Sequence, residues 1–327
     1  MDLKRLALAV LALNILACGG PAQNDPLVPG LKEDPTICKV KSLIEQVKGN
    51  NVNQRAPAAR ELMGLGPEAK VAVPLLIAEL GKTEGETRQI LTNALAKIGK
   101  PAVPALAMAL KNKDAGVRRQ AGIALSKIGG DAREAIPALG EALTDSDREI
   151  RSFALAAIIK IDSDPKTLLP VLTKALKDDD KSVRITTLFA LEGIADKVDG
   201  VVPVLATGLE DKDKDVRIST AAVLSRLAEQ AKPAVPALTK ALKDADGEVR
   251  VSAALTLVRV DPEQKKTALP ALFSGLDDKD PAVRRAAAYV LGDVGDAAAL
   301  EPLTKALKDD NGNVRQAAEQ ALAKIKK

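Results

Sequence analysis

Lys177–Ile185 read KDDDKSVRI, an acidic run followed closely by a Val-Arg pair, and this arrangement recurs along the chain. Arginines in matching contexts stand at Arg55, Arg88, Arg118, Arg151, Arg184, Arg217, Arg250, Arg284 and Arg315, at steps of 33, 30, 33, 33, 33, 33, 34 and 31 residues. From Arg118 onward each is preceded by valine or isoleucine. Self-similarity at such a period marks a stack of identical supersecondary units, and nine arginines predict nine repeats.

Other residues keep the same register. Fourteen before the arginine stand Pro74, Pro104, Pro137, Pro170, Pro203, Pro236 and Pro270. Six before it stand Asp145, Asp178, Asp211, Asp244, Asp278 and Asp309, and four before it Asp114, Asp147, Asp180, Asp213, Asp246 and Asp280. In the stretch from Lys100 to Gly130, Val103, Leu106 and Leu110 share one face of a first helix. Pro101 and Pro104 fit its first turn, where backbone N–H groups have no intrahelical partner. Asp114 is placed to cap a second helix. That helix buries Val117, Ala121, Ala124, Leu125 and Ile128, and Gly129 and Gly130 end it. One hairpin cannot cover both of its apolar sides, but a stack of them can. Aromatic residues make up 1% of the chain, which suits a thin stack without a thick core.

The recurring Pro, Asp and Val-Arg resemble the HEAT repeat, in particular the short HEAT-like repeats of phycobilisome lyases. The resemblance implies an all-α fold, an α-solenoid of about nine helical hairpins over residues 36–327. It also implies a ladder of turn aspartates and helical arginines, formed here by Asp178, Arg184, Asp211, Arg217, Asp244 and Arg250, with Asp180 as cap. On this reading the acidic runs are structural. Terminal repeats depart from the pattern: Lys41 replaces proline in the first, and the last ends in polar residues that shield the end of a stack.

The N-terminus MDLKRLALAVLALNILACGG has a basic start, then an apolar run from Leu6 to Leu16 broken by Asn14. The run is shorter than the ~20 residues that span a bilayer and suits a signal peptide over residues 1–17. Ile15-Leu16-Ala17-Cys18 resembles the bacterial lipobox, which implies cleavage before Cys18 and lipidation of its thiol. Residues 18–35 are rich in Pro, Gly and polar residues and read as a flexible tether. The expected location is the bacterial cell envelope, anchored in a membrane and facing out of the cytoplasm. Acylation of Cys18 leaves Cys38 the remaining thiol.

The formal net charge is +4, with both signs interspersed, so no segregated basic stripe predicts nucleic-acid binding. The chain has no histidine and no tryptophan. That removes the commonest general base and transition-metal ligand. Asp211, Asp213 and Asp215 mimic the start of an EF-hand loop, but Val216 replaces its glycine and Ala222 its closing glutamate. No catalysis, cofactor or metal is expected.

On the second helices, positions one, five and eight after the ladder arginine point away from the buried side. In HEAT folds that side lines the concave surface. These positions are mostly polar in repeats two and three, and in repeats four to eight they become Ile159, Ile185, Phe189, Ile218, Val251, Leu255, Val258 and Tyr289. Repeat nine returns to Gln316 and Gln320. Nine residues after the arginine, Lys97, Lys127, Lys160, Arg226, Arg259 and Lys324 recur, placed to complement helix C-termini. A contiguous apolar patch marks a protein contact, unless curvature buries it between repeats. The expected function is a membrane-tethered, non-catalytic scaffold for a protein or peptide partner. The alternative is a lyase-like accessory protein or chaperone that binds a cofactor-bearing partner.

Overall fold

A computed structural model describes residues 34–161 and 164–326. The signal peptide, Cys18 and nearly all of the tether lie outside them. The chain forms two compact units, Met1–Ser163 and Asp164–Lys327. Among the described residues every regular element is helical, and the α-helices pair into nine hairpins.

The first unit holds four of them: α1 (Pro35–Lys48) with α2 (Val52–Gly64), α3 (Val73–Leu80) with α4 (Gly85–Ile98), α5 (Val103–Ala109) with α6 (Ala115–Ile128), and α7 (Ile136–Ala142) with α8 (Arg148–Ile161). The second unit holds five: α9 (Pro165–Ala175) with α10 (Lys181–Glu192), α11 (Val201–Ala206) with α12 (Lys214–Leu227), α13 (Val235–Ala241) with α14 (Gly247–Val260), α15 (Lys265–Leu276) with α16 (Pro281–Val294), and α17 (Leu300–Ala306) with α18 (Gly312–Ile325). Within each unit every second helix packs on the second helix of the next hairpin. The fold is an α-solenoid.

Two boundaries differ from the sequence expectation. Pro35, assigned to the tether, is the first residue of α1, because the Asp34 carboxylate accepts the Thr36 N–H at 2.8 Å and starts the helix there. The first helix of some repeats is also not continuous, although α9 and α15 run unbroken through Pro170 and Pro270. Pro101 opens a 3₁₀ turn at Lys100–Ala102 and Pro104 opens α5 behind it. Both prolines suit a first turn, since neither has an N–H to give to a preceding one.

The core is the row of aliphatic side chains between the two helix layers, among them the fully buried Leu95, Leu125, Leu224 and Leu257. Gly99 and Gly129, with φ of 73° and 71°, end α4 and α6 in a region that L side chains avoid. Buried Thr187, Thr220 and Thr256 take places where small apolar residues were expected. Each hydroxyl donates to the carbonyl four residues back, at 2.8 Å in all three, so none of these three buried hydroxyls is left unpaired.

The acidic runs join hairpin to hairpin. Asp180 accepts the Ser182 N–H at 2.8 Å as the cap of α10. Arg184 lies one turn inside that helix. Its Nη1 donates to the carbonyls of Asp178 and Asp179 at 2.7 and 3.0 Å, closing its own turn. Nε and Nη2 make a bidentate pair with Asp211 of the next hairpin at 2.7 and 2.8 Å. The arginine thus takes the backbone of its own aspartate and the carboxylate of the following one. Arg217 repeats this with Asp244 at 2.9 Å, Arg250 with Asp278 at 3.1 Å, Arg284 with Asp309 at 2.8 and 2.9 Å, and Arg118 of the first unit with Asp145 at 2.7 and 3.0 Å. The EF-hand-like aspartates are committed in the same way. Asp211 pairs with Arg184, Asp213 caps α12, and Asp215 binds Lys181 at 2.5 Å.

Candidate functional site

The face opposite the core on the second helices carries the predicted contact residues. Ile159, half-buried on α8, belongs to the first unit. The remaining seven lie in the second unit. Phe189 on α10 and Tyr289 on α16 are 49% and 50% exposed, while Ile185, Ile218, Leu255 and Val258 are half-buried. Val251 is the correction. It is 3% exposed, because Gly275 of α15 leaves room beside it and a Cβ there would lie 3.0 Å from Val251 Cγ2. A helical wheel puts Val251 on the open side, but the small residue of the next hairpin lets the two helices close over it.

Three of these residues meet. Val251, Leu255 and Tyr289 border a groove of about 530 Å³ formed by α14, α16 and α18. The groove also takes in Arg285, Asn313, Gln316 and Gln320. The sequence held a signal for these. Arg285 occupies position one of repeat eight, where repeats five to seven have aliphatic residues, and Gln316 and Gln320 occupy positions one and five of repeat nine. By sequence Gln316 and Gln320 read as the polar end of the patch, and in the structure they form its wall.

Two of the cations nine residues past a ladder arginine do more than complement a helix C-terminus. Arg226 places its guanidinium 5.4 Å from the Phe189 ring centroid and bonds both oxygens of Glu192, at 2.5 and 2.7 Å. Lys324 sits 4.6 Å from the Tyr289 ring centroid and donates to Asp293 at 2.8 Å. The Asp293 carboxylate raises the Lys324 ammonium above its ordinary value. Each exposed aromatic is therefore held by a cation from the following hairpin, itself held by an acid of the aromatic's own helix. Cation–π contact at exposed sites contributes ~0.5–1 kcal/mol, enough to fix a ring orientation. In the first unit, Lys127 reaches Asn93 at the equivalent place.

The HEAT-repeat family profile matches residues 40–126, 73–159, 169–257 and 235–323, and so spans most of the chain. The chain is a HEAT-repeat protein. Solved HEAT-like structures share its fold. The X-ray structure of YibA from Escherichia coli is 20% identical, with a TM-score of 0.56 over 85% of this chain and 99% of that one. Importin beta is 16% identical, with a TM-score of 0.60 over 88% of this chain and 45% of that one. Kap95 in its complex with Nup1 is 16% identical, with a TM-score of 0.61 over 88% and 44%. The chain spans a little under half the length of these last two. No curated protein matches the sequence. HEAT-repeat solenoids generally serve as protein-binding scaffolds. In this HEAT-repeat protein, among the described residues, no helix is long and apolar enough to cross a membrane.

Proposed function

We propose that this HEAT-repeat protein is a membrane-tethered, non-catalytic scaffold that holds a protein or peptide partner on the second-helix face of its second unit. The observation that carries the reading is the pair of half-exposed aromatics, Phe189 and Tyr289, at equivalent positions of α10 and α16, with half-buried Leu255 on α14 between them. Half-exposed aromatics held in fixed orientation are anchors that a partner can desolvate, and such anchors carry most of an interface's energy. The tether rests on the lipobox-like Ile15-Leu16-Ala17-Cys18. Two acyl chains hold a protein stably where one is marginal. The solenoid then works from a membrane of the bacterial envelope, outside the cytoplasm.

Two experiments test this. The triple change Phe189→Ser, Leu255→Ser, Tyr289→Ser should lower the melting temperature only slightly and abolish retention of the partner captured from native membranes by the wild type. A large fall in melting temperature would make these residues core, and unchanged retention would put the contact elsewhere. Cys18→Ser should remove metabolic labelling by a palmitate analogue and shift the protein out of the membrane fraction or leave it uncleaved. Equal labelling of the variant refutes the anchor.

A further inference from the structure

We infer that the groove formed by α14, α16 and α18 takes an extended peptide in which an apolar and an acidic side chain stand two residues apart. The inference rests on the scaffold reading and deepens it by naming the ligand class.

The charge argument is a comparison within the chain. Three cations near the start of a second helix are each neutralised by two acids of the following hairpin, its cap and the residue two beyond. Arg119 meets Asp147 and Glu149, both at 3.0 Å. Lys181 meets Asp213 and Asp215 at 3.5 and 2.5 Å, and Lys214 meets Asp246 and Glu248 at 3.4 and 3.6 Å. In hairpin nine those two acids are replaced by Asn311 and Asn313. Arg285, which stands where Arg119 does, consequently has no hydrogen-bond or ion-pair partner among the described residues. Among the described residues it is the one charged side chain lining the groove, and no carboxylate among them lines it. A site with an apolar floor and one uncompensated guanidinium is complementary to a single carboxylate. A nucleic-acid backbone would call for several such cations along its path.

The amides indicate how the ligand's main chain lies. Asn313, Gln316 and Gln320 fall on one face of α18, exposed, with side-chain amides unbonded among the described residues. A carboxamide offers a donor and an acceptor together, the complement of a peptide unit. From Asn313 to Gln320 the helix advances ~10.5 Å, the length of about three extended residues. A helical ligand has satisfied its own N–H and C=O groups and would leave these amides idle. An extended one would not.

Spacing then sets the pattern. Arg285 and Tyr289 are one turn apart on α16, about 5–6 Å. Residues i and i+2 of an extended chain share a face at a separation of about 6.6 Å. An apolar side chain against Tyr289 and Leu255 therefore puts an Asp or Glu two residues away onto Arg285, in either chain direction.

The chain has one tyrosine and no tryptophan, so Tyr289 emission reports on this groove alone. The full-length protein is used to select from a random twelve-residue displayed peptide library, and enriched peptides lacking Tyr and Trp are titrated against Tyr289 emission. The expected result is enrichment of an apolar residue two positions from Asp or Glu. Arg285→Glu should weaken these peptides about tenfold or more, and changing the peptide acid to lysine should restore them. Arg285 is exposed and unbonded, so the variant keeps its fold, which circular dichroism checks. Binding to the triple serine variant, which lacks Tyr289, is followed instead by the anisotropy of fluorescein-labelled peptide. If enriched peptides lack the acid, or bind Arg285→Glu equally while failing on the triple serine variant, the inference falls and the scaffold reading stands. Binding that survives both variants sinks the two together. No enrichment, or a response of Tyr289 to a uridine oligonucleotide in place of peptide, overturns the inference.

Discussion

Replacing Arg184 by methionine separates a structural ladder from a charged site. The Arg184 side chain is 3% exposed and that of its partner Asp211 12% exposed. Methionine keeps most of the aliphatic stem and its packing. It removes the bidentate pair and the donor shared by the carbonyls of Asp178 and Asp179. Asp211 keeps one bond, from the Asp213 N–H at 2.8 Å. Removing one member of a buried ion pair costs ~3–5 kcal/mol, because the other charge stays buried. Water reaches Asp211 after the change, which puts the expected loss near the lower bound, ~3 kcal/mol. The control is Lys240→Met, which breaks the Lys240–Glu210 pair, 71% and 61% exposed. That pair should contribute under ~1 kcal/mol. Urea melts followed by circular dichroism give the totals. Hydrogen exchange places the loss at hairpins five and six, as expected for nearest-neighbour coupling. Adding Asp211→Asn to Arg184→Met should recover part of the loss, since it removes the stranded charge. A cost for Arg184→Met within ~1 kcal/mol of the control would refute the ladder. Loss of partner binding at unchanged stability would show that the acidic run is a site after all.

Asp180→Ala should cost ~0.5–2 kcal/mol through loss of the α10 cap, with Asp180→Asn milder, read from denaturant midpoints. Acid should act through the ladder too. The Arg284 guanidinium bonded to Asp309 holds its carboxyl well below the usual carboxylate range. A carboxyl depressed in the folded state stabilises above its unfolded value, ~3.9, and that stability is lost as pH falls toward the folded value. Melting temperatures from pH 7 downward should fall more steeply below about pH 4 for the wild type than for Arg284→Gln. Parallel curves would show that the pair does not drive the acid response.

The hairpins, their caps and the period were legible in sequence because each depends on residues within one repeat. Asp180 before an apolar run announces a cap by itself. The destination of Arg184 was less legible. Its carboxylate partner is not Asp178, six residues back, but Asp211, 27 residues on. Both are in register with it, and only the backbone path distinguishes carbonyl from carboxylate. Val251 was misplaced for a related reason. Its exposure depends on Gly275, on a different helix, and a helical wheel does not contain it. Arg226 and Lys324 carried a readable role at their helix ends, but their rings lie one hairpin back. Arg285 is the hardest case, since what distinguishes it is two asparagines in the hairpin after it.

The ladder also gives the chain a direction in time. Arg184 donates forward to Asp211, Arg217 to Asp244 and Arg118 to Asp145, each partner 27 residues later in the sequence. The chain emerges N-terminus first, from a ribosome or across a membrane, so the aspartate always follows its arginine. During that interval the newest hairpin has its turn closed by its own carbonyls, but its guanidinium fork is still open. The arriving segment that fills the fork is the correct neighbour by order of synthesis, which favours assembly in sequence over pairing between distant repeats with the same pattern.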